Sequence, residues 1–194
     1  MKHGQTTGSE TPVALVALGA NLPSPVGAPA ETVSNAIKKL RSIYPGTRAS
    51  QLHVSPAFPA GSGPDYINAA VCFPTTQPAL EILKILHGIE EQLGRSRGER
   101  WAARVMDLDL LGVGAEILPD LETYAEWRTL SLTEQMQKVP DGLILPHPRM
   151  QERAFVLKPL AEIAPEWIHP VLGTTVKQML ADLPEDQCAE VIAL

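Results

Sequence analysis

Short apolar runs alternate with helical periodicities along the first part of the chain, and proline or glycine closes each of them. Val13 to Leu18 is an apolar run opened by Pro12 and ended by Gly19, a length that fits a buried strand better than a helix. Val33, Ala36, Ile37, Leu40 and Tyr44 recur at helical spacing, predicting a helix over 31–44 that Pro45-Gly46 stops. Two further strands are predicted over 49–54 and 66–73, separated by a loop from Ser55 to Pro64 in which proline and glycine exclude regular structure. Strand alternation puts Tyr66 and Asn68 on one face of the second of these, and Ile67, Ala69 and Val71 on the other. Pro78 opens a second helix, with Leu80, Leu83, Leu86, Ile89 and Leu93 along one flank and Gly94 at its end, and 105–113 is a fourth strand.

The order strand, helix, strand, strand, helix, strand is the ferredoxin-like βαββαβ arrangement. This α+β core is an antiparallel sheet with helices packed on one face. Residues 115–146 form a long excursion in which Ser131 and Glu134 have the spacing of a capping box, predicting a short helix through Lys138. Helical stretches around 150–163 and 174–183 complete a C-terminal helical extension. With 194 residues, the chain is expected to form one domain, with residues 1–11 disordered.

Composition narrows the function classes. No apolar run approaches a bilayer span, the first ten residues lack the core of a secretory signal, and the two cysteines, Cys72 and Cys188, make no disulfide framework. A soluble, cytoplasmic, monomeric protein is expected, without membrane partners. A net charge of -6 argues against a nucleic-acid binder, so any phosphate chemistry needs a local basic patch.

Such a patch exists. Between Arg95 and Arg104 lie four arginines and one glutamate, a local charge of +3. Asp107 and Asp109 follow, two residues apart in an apolar strand, so they share one face while Met106, Leu108 and Leu110 take the other. Neighbouring carboxylates repel unless a cation offsets them, and Mg²⁺ takes one or two protein carboxylates while water and phosphate oxygens fill its shell. Arginines beside such a pair make phosphoryl transfer the chemistry in view. The alternatives are a solvated arginine loop paired with surface acids, and two aspartates at a strand end. No G-x-x-x-x-G-K-[ST] loop and no G-x-G-x-x-G is present, so this is neither a P-loop nor a protein-kinase site.

These residues resemble the 6-hydroxymethyl-7,8-dihydropterin pyrophosphokinases of folate biosynthesis. The segment from Arg100-Trp101 through Arg104 and Asp107-Leu108-Asp109 to Leu110-Leu111 matches that family's signature. Four more segments follow the family order: Leu18 to Leu22, Asp65 to Ala70, Leu145 to Pro148, and Arg153 to Leu157 before Pro159-Leu160.

The resemblance implies transfer of the ATP diphosphate to the hydroxymethyl group of the pterin, with AMP leaving. It implies that Asp107 and Asp109 hold two Mg²⁺ ions, and that Arg95, Arg100, Arg104, His147 and Arg153 contact the triphosphate. Arg97 and Trp101 would lie on a loop that closes over the site. The pterin would stack between Tyr66 and Phe155, read by Asn68 and bordered by Ser55, Pro56, Phe58 and Trp101, and Leu110 would border the adenine. Read singly, Phe155 is a core residue, His147 a loop histidine and Asn68 a sheet hydrogen-bonder. The family departures are Ala20 for a common serine, Ala103 for a common proline and Pro148 for a frequent tyrosine. Two other readings stand beside this one, a Mg²⁺-dependent nucleotide hydrolase and a non-catalytic nucleotide-binding module. Neither needs Tyr66, Asn68 and Phe155 together with both aspartates.

Overall fold

The computed structural model describes residues 11–57, 63–94 and 105–194. The first strand, β1 (Val13–Ala20), runs on past Leu18 and is followed by α1 (Pro29–Ile43). The second predicted strand is broken into β2 (Arg48–Ala49) and β3 (His53–Ser55), both paired with β4 (Tyr66–Pro74). Next come α2 (Ala79–Gln92) and β5 (Asp107–Val113). The sheet order β5-β1-β4-β3, antiparallel at every pairing, is that of the predicted ferredoxin-like core.

Alternation along the strands sorts the two faces. Val16, Leu18, Ala69, Val71, Phe73, Leu108 and Leu110 pack against α1 and α2 in one core. Within it, the Tyr44 and Phe73 rings stack with centroids 3.9 Å apart. The buried stripe along α2 and its C-cap is Ala79, Ile82, Leu86, Ile89 and Leu93; Leu86, Ile89 and Leu93 are buried as predicted, while Leu80 is exposed and Leu83 only partly buried. A stripe that starts from Ala79 at intervals of three and four places Leu80 about 100° off it.

The opposite face is not bare, as helices on a single face would leave it. Leu15, Ala70, Cys72 and Leu111 are covered by Met150 and by two helices, α5 (Ala154–Ile163) and α6 (Val176–Ala181). The C-terminal extension is thus a second layer that makes the sheet central. A register shift on β5 serves this layer. Leu110 pairs with Val16 but Gly112 with Leu15, so Leu111 is an extra residue turned toward the second core. A Cβ at Gly112 would lie 3.0 Å from the Trp167 ring, so glycine lets the indole close over the bulge.

The excursion carries α3 (Leu121–Thr129) and α4 (Leu132–Gln137). The capping box at Ser131 forms as predicted. Helix α3 went unpredicted because it buries only Tyr124, which leaves no apolar periodicity to read; its one signal is the Asp120 cap, whose carboxylate accepts from Thr123 N–H at 2.8 Å. Reciprocal backbone bonds between Leu118 and Leu145 close the base of the excursion. Near the end of the chain, α7 (Glu185–Ala189) and β6 (Ile192–Ala193) follow, and β6 pairs with β3. Lys158 holds this end by donating to the carbonyls of Cys188 and Val191 at 2.9 and 2.6 Å. No described helix is long and apolar enough to cross a membrane.

One buried histidine ties α3 to the C-terminal layer. His169 is fully buried, its Nδ1 accepts the N–H groups of Val171 and Leu172, and its Nε2 lies 3.1 Å from the Tyr124 hydroxyl. Burial first, with the Arg128 charge adding to it, pushes its pKa down to about 4. The folded value lies below the ordinary value of about 6.5, so the unfolded chain takes up the proton more readily. The contribution of neutral His169 to stability is therefore complete above about pH 6.5 and is lost as pH falls toward 4. Melting temperatures measured from pH 7 to pH 4 should fall more steeply for the wild type than for His169→Gln, and parallel slopes would refute the assignment.

Candidate functional site

Where α5 leaves the second sheet face uncovered, a cleft opens. It is lined by Ala17, Leu18, Gly19, Tyr66, Asn68, Asp107, Asp109, Phe155 and Val156. Strand register explains the grouping. Asp107 pairs with Gly19 and Gly19 with Asn68, while Asp109 pairs with Ala17 and Ala17 with Ala70. The residues between the aspartates and β4 are therefore glycine and alanine, which keep the floor low. A Cβ on Gly19 would sit 3.6 Å from Asn68 Oδ1 and 3.8 Å from the Tyr66 ring, so any longer side chain there would enter the cleft.

The polar side of the cleft is held from beneath. Asn68 is buried and donates through Nδ2 to Ser55 Oγ at 2.9 Å, linking β4 to β3. With the amide nitrogen thus engaged, the orientation of the Asn68 carbonyl is set. Phe155 is 36% exposed at the start of α5 and faces the cleft opposite the sheet, which makes it a wall rather than a core residue. The Arg153 guanidinium stands 5.7 Å from the Phe155 ring centroid, within cation–π range. Arg153 is also the N-cap of α5, so its charge adds to the positive end of the helix dipole at the rim of the cleft.

Backbone bonds deliver His147 to the same region, its N–H donating to the Leu111 carbonyl at 2.8 Å. Burial, with the Arg153 guanidinium next, lowers the His147 pKa to about 3 against the opposing pull of Asp107. The ring is neutral at pH 7. Its Nδ1 faces the Arg149 N–H at 3.2 Å and accepts from it, so the remaining proton sits on Nε2, a donor suited to a phosphate oxygen. Burial also lowers the Arg153 pKa, while Asp109 and then Asp107 act to keep the proton on.

Of the residues singled out from the sequence, the structure thus brings together Tyr66, Asn68, Asp107, Asp109 and Phe155, with Ser55 behind Asn68 and His147 and Arg153 within electrostatic reach of the aspartates. Pro56 is exposed beyond the end of β3. The Leu110 side chain lies in the α1/α2 core on the other face of the sheet, so only its backbone is left to border a nucleotide; strand alternation forbids Leu110 and Asp109 a common face. Phe58, Arg95, Arg97, Arg100, Trp101, Arg104 and residues 1–10 lie outside the described residues. Gly19 and Val156 stand in the family segments without a site role and Ala17 is not singled out by the sequence; for Ala17 and Gly19, a small residue on the strand next to the aspartates is the available signal.

The donor set suits one kind of metal. Among the described residues, no group of three or more histidine, cysteine, aspartate or glutamate side chains could hold an ion, and the carboxylates lining the cleft are those of Asp107 and Asp109. That set suits a hard cation that completes its shell with water and phosphate.

The chain is similar to proteins of one family. The model of 7,8-dihydro-6-hydroxymethylpterin-pyrophosphokinase (HPPK) matches residues 15–165. A 2-amino-4-hydroxy-6-hydroxymethyldihydropteridine pyrophosphokinase of Synechocystis sp. is 36% identical over 169 residues, covering 86% of this chain and 74% of that protein. The one of Methylorubrum extorquens is 33% identical over 173 residues, covering 88% and 92%. Among solved structures, an HPPK-DHPS in complex with substrates superposes with a TM-score of 0.61 at 13% identity, covering 89% of this chain and 43% of that one. The Plasmodium falciparum HPPK-DHPS gives 0.59 at 16%, covering 89% and 44%. These last two likenesses carry the fold alone, and this chain spans less than half of each.

Proposed function

The chain belongs to the 7,8-dihydro-6-hydroxymethylpterin-pyrophosphokinase family, and from that premise we propose how its own residues carry the reaction. It is a transferase that moves the diphosphate of ATP onto the hydroxymethyl group of 6-hydroxymethyl-7,8-dihydropterin, giving AMP and the pterin diphosphate in folate biosynthesis.

The observation that supports the residue assignment best is the cleft itself, with an aromatic wall, a fixed amide and two carboxylates on one floor. Tyr66 and Phe155 take the faces of the pterin ring, and the Asn68 carbonyl accepts from its edge. This places the hydroxymethyl arm toward Asp107 and Asp109. Asp107 and Asp109 would hold Mg²⁺, two ions being expected; when bound, these would supply charge neutralisation at the phosphate oxygens. His147 Nε2–H and Arg153 donate to the triphosphate, and Arg95, Arg100 and Arg104 add cations from the segment before β5. Arg97 and Trp101 are assigned to closure over the site. The hydroxymethyl oxygen attacks the β-phosphorus, the bond from the β-phosphorus to the bridging oxygen breaks, AMP leaves with that oxygen and the hydroxyl proton passes to solvent, with the residues above holding donor and acceptor in line. Phe155 and Val156 give the ring an apolar wall.

The chain is taken as a single pyrophosphokinase domain, a reading supported by two cores that share one sheet. It is also taken as a cytoplasmic monomer with no nucleic-acid partner, supported by the free cysteines Cys72 and Cys188 and the net charge of -6. Sedimentation as a dimer would overturn the monomer. The test of the function is a product assay with ATP, Mg²⁺ and the hydroxymethyldihydropterin. Equimolar AMP and pterin diphosphate are expected; ADP or free phosphate would point to another kinase or a hydrolase, and nucleotide binding without turnover to a binding module.

A further inference from the structure

We infer that Arg149 is an additional polyphosphate-binding residue beside His147 and Arg153, a role that rests on the site reading given above. The segment carrying it is tightly wound. Met150 N–H donates to the His147 carbonyl at 3.1 Å, Glu152 N–H to the Arg149 carbonyl at 3.2 Å, and Arg153 N–H to the Met150 carbonyl at 3.4 Å. This turn gathers His147, Arg149 and Arg153 within seven residues, and the Arg149 backbone already orients the His147 ring through Nδ1.

The Arg149 guanidinium is positioned on one side only. Its Nε and Nη2 both donate to Glu152 Oε2, at 3.1 and 2.9 Å, which fixes the plane of the fork. The remaining nitrogen, Nη1, is buried and has no hydrogen-bond partner. A charged donor shut away from water without an acceptor is costly, and a structure that keeps one has a use for it when an acceptor arrives. The charge of Arg149 is felt by both His147 and Arg153, so these groups lie in one field. The Arg149 and Arg153 guanidiniums and the His147 Nε2–H donor form one cluster of donors suited to a ligand bearing several negative oxygens. A triphosphate is such a ligand, and a planar guanidinium matches phosphate oxygens well.

The test measures binding of a non-hydrolysable ATP analogue and, separately, of the pterin, by calorimetry in the presence of Mg²⁺, together with melting temperatures. For Arg149→Ala the analogue should bind about tenfold more weakly, as expected for loss of a charge-assisted hydrogen bond, with pterin affinity within about twofold of wild type. The dependence of analogue affinity on salt should become shallower as well, and Arg149→Lys should recover part of the loss. Unchanged analogue affinity in Arg149→Ala would overturn the role. So would equal weakening of both ligands with a lowered melting temperature, since the pair with Glu152 would then only be clamping the turn. Failure of the wild type to bind the analogue would overturn the site reading along with it.

Discussion

Asp109→Ala is expected to lower the rate of diphosphate transfer by about three orders of magnitude, while the melting temperature should move by no more than about 3 °C. The two halves of this expectation come from the two faces of β5. Asp109 points into the cleft opposite Ala17 and is only partly buried, whereas its neighbours Leu108 and Leu110 carry the core. Alanine at position 109 leaves that core intact and keeps the ladder bonds of the strand. What it removes is one of two carboxylates facing the cations of the site, Arg153 among them. AMP release measured at saturating ATP and pterin, with thermal melts in parallel, separates the two effects. A variant with near wild-type turnover would eliminate Asp109 as a metal ligand, and one that fails to fold would contradict the strand assignment.

The second large effect is on pterin recognition. Phe155→Ala should raise the pterin dissociation constant by roughly 50-fold, within the range of about 1–3 kcal/mol found when an aromatic stacking partner is truncated. The dissociation constant for the ATP analogue should change by no more than about threefold. The asymmetry follows from position: the ring lines the cleft from the first turn of α5, while the Arg153 guanidinium, 5.7 Å from the ring centroid, is held in addition by the charges of Asp109 and Asp107. Phe155 is also partly exposed, so its truncation costs little stability. If both ligands weaken equally, Phe155 is holding α5 in place rather than stacking on the substrate.

The strand, helix and strand order could be read from the chain because each element reports its own burial locally. The alternation of Tyr66 and Asn68 against Ile67, Ala69 and Val71 is a property of β-geometry alone, and both sets lie as alternation requires. The same holds for the aspartates against Met106, Leu108 and Leu110. What escaped the reading lacked such a signal. Strand β6 is two exposed residues, and α3 buries a single side chain. On α2 only the first two turns differ, Ala79 and Ile82 facing the core in place of Leu80 and Leu83, because the start of the helix is apolar on more than one side.

Residue type and spacing determined, from the chain by itself, that Asp107 and Asp109 share a face, that the core is βαββαβ, and that a basic cluster precedes the carboxylates; the aromatic and amide partners are implied by the family resemblance. Tertiary structure alone decided that the C-terminal extension covers the second face of the sheet, and where that cover stops. The reason is physical: periodicity records which side of an element is apolar but not which surface meets it. The low floor of Ala17 and Gly19, the neutral state of His147 and the lone buried nitrogen of Arg149 exist only after β1, β5 and the turn at 147–153 have been brought side by side.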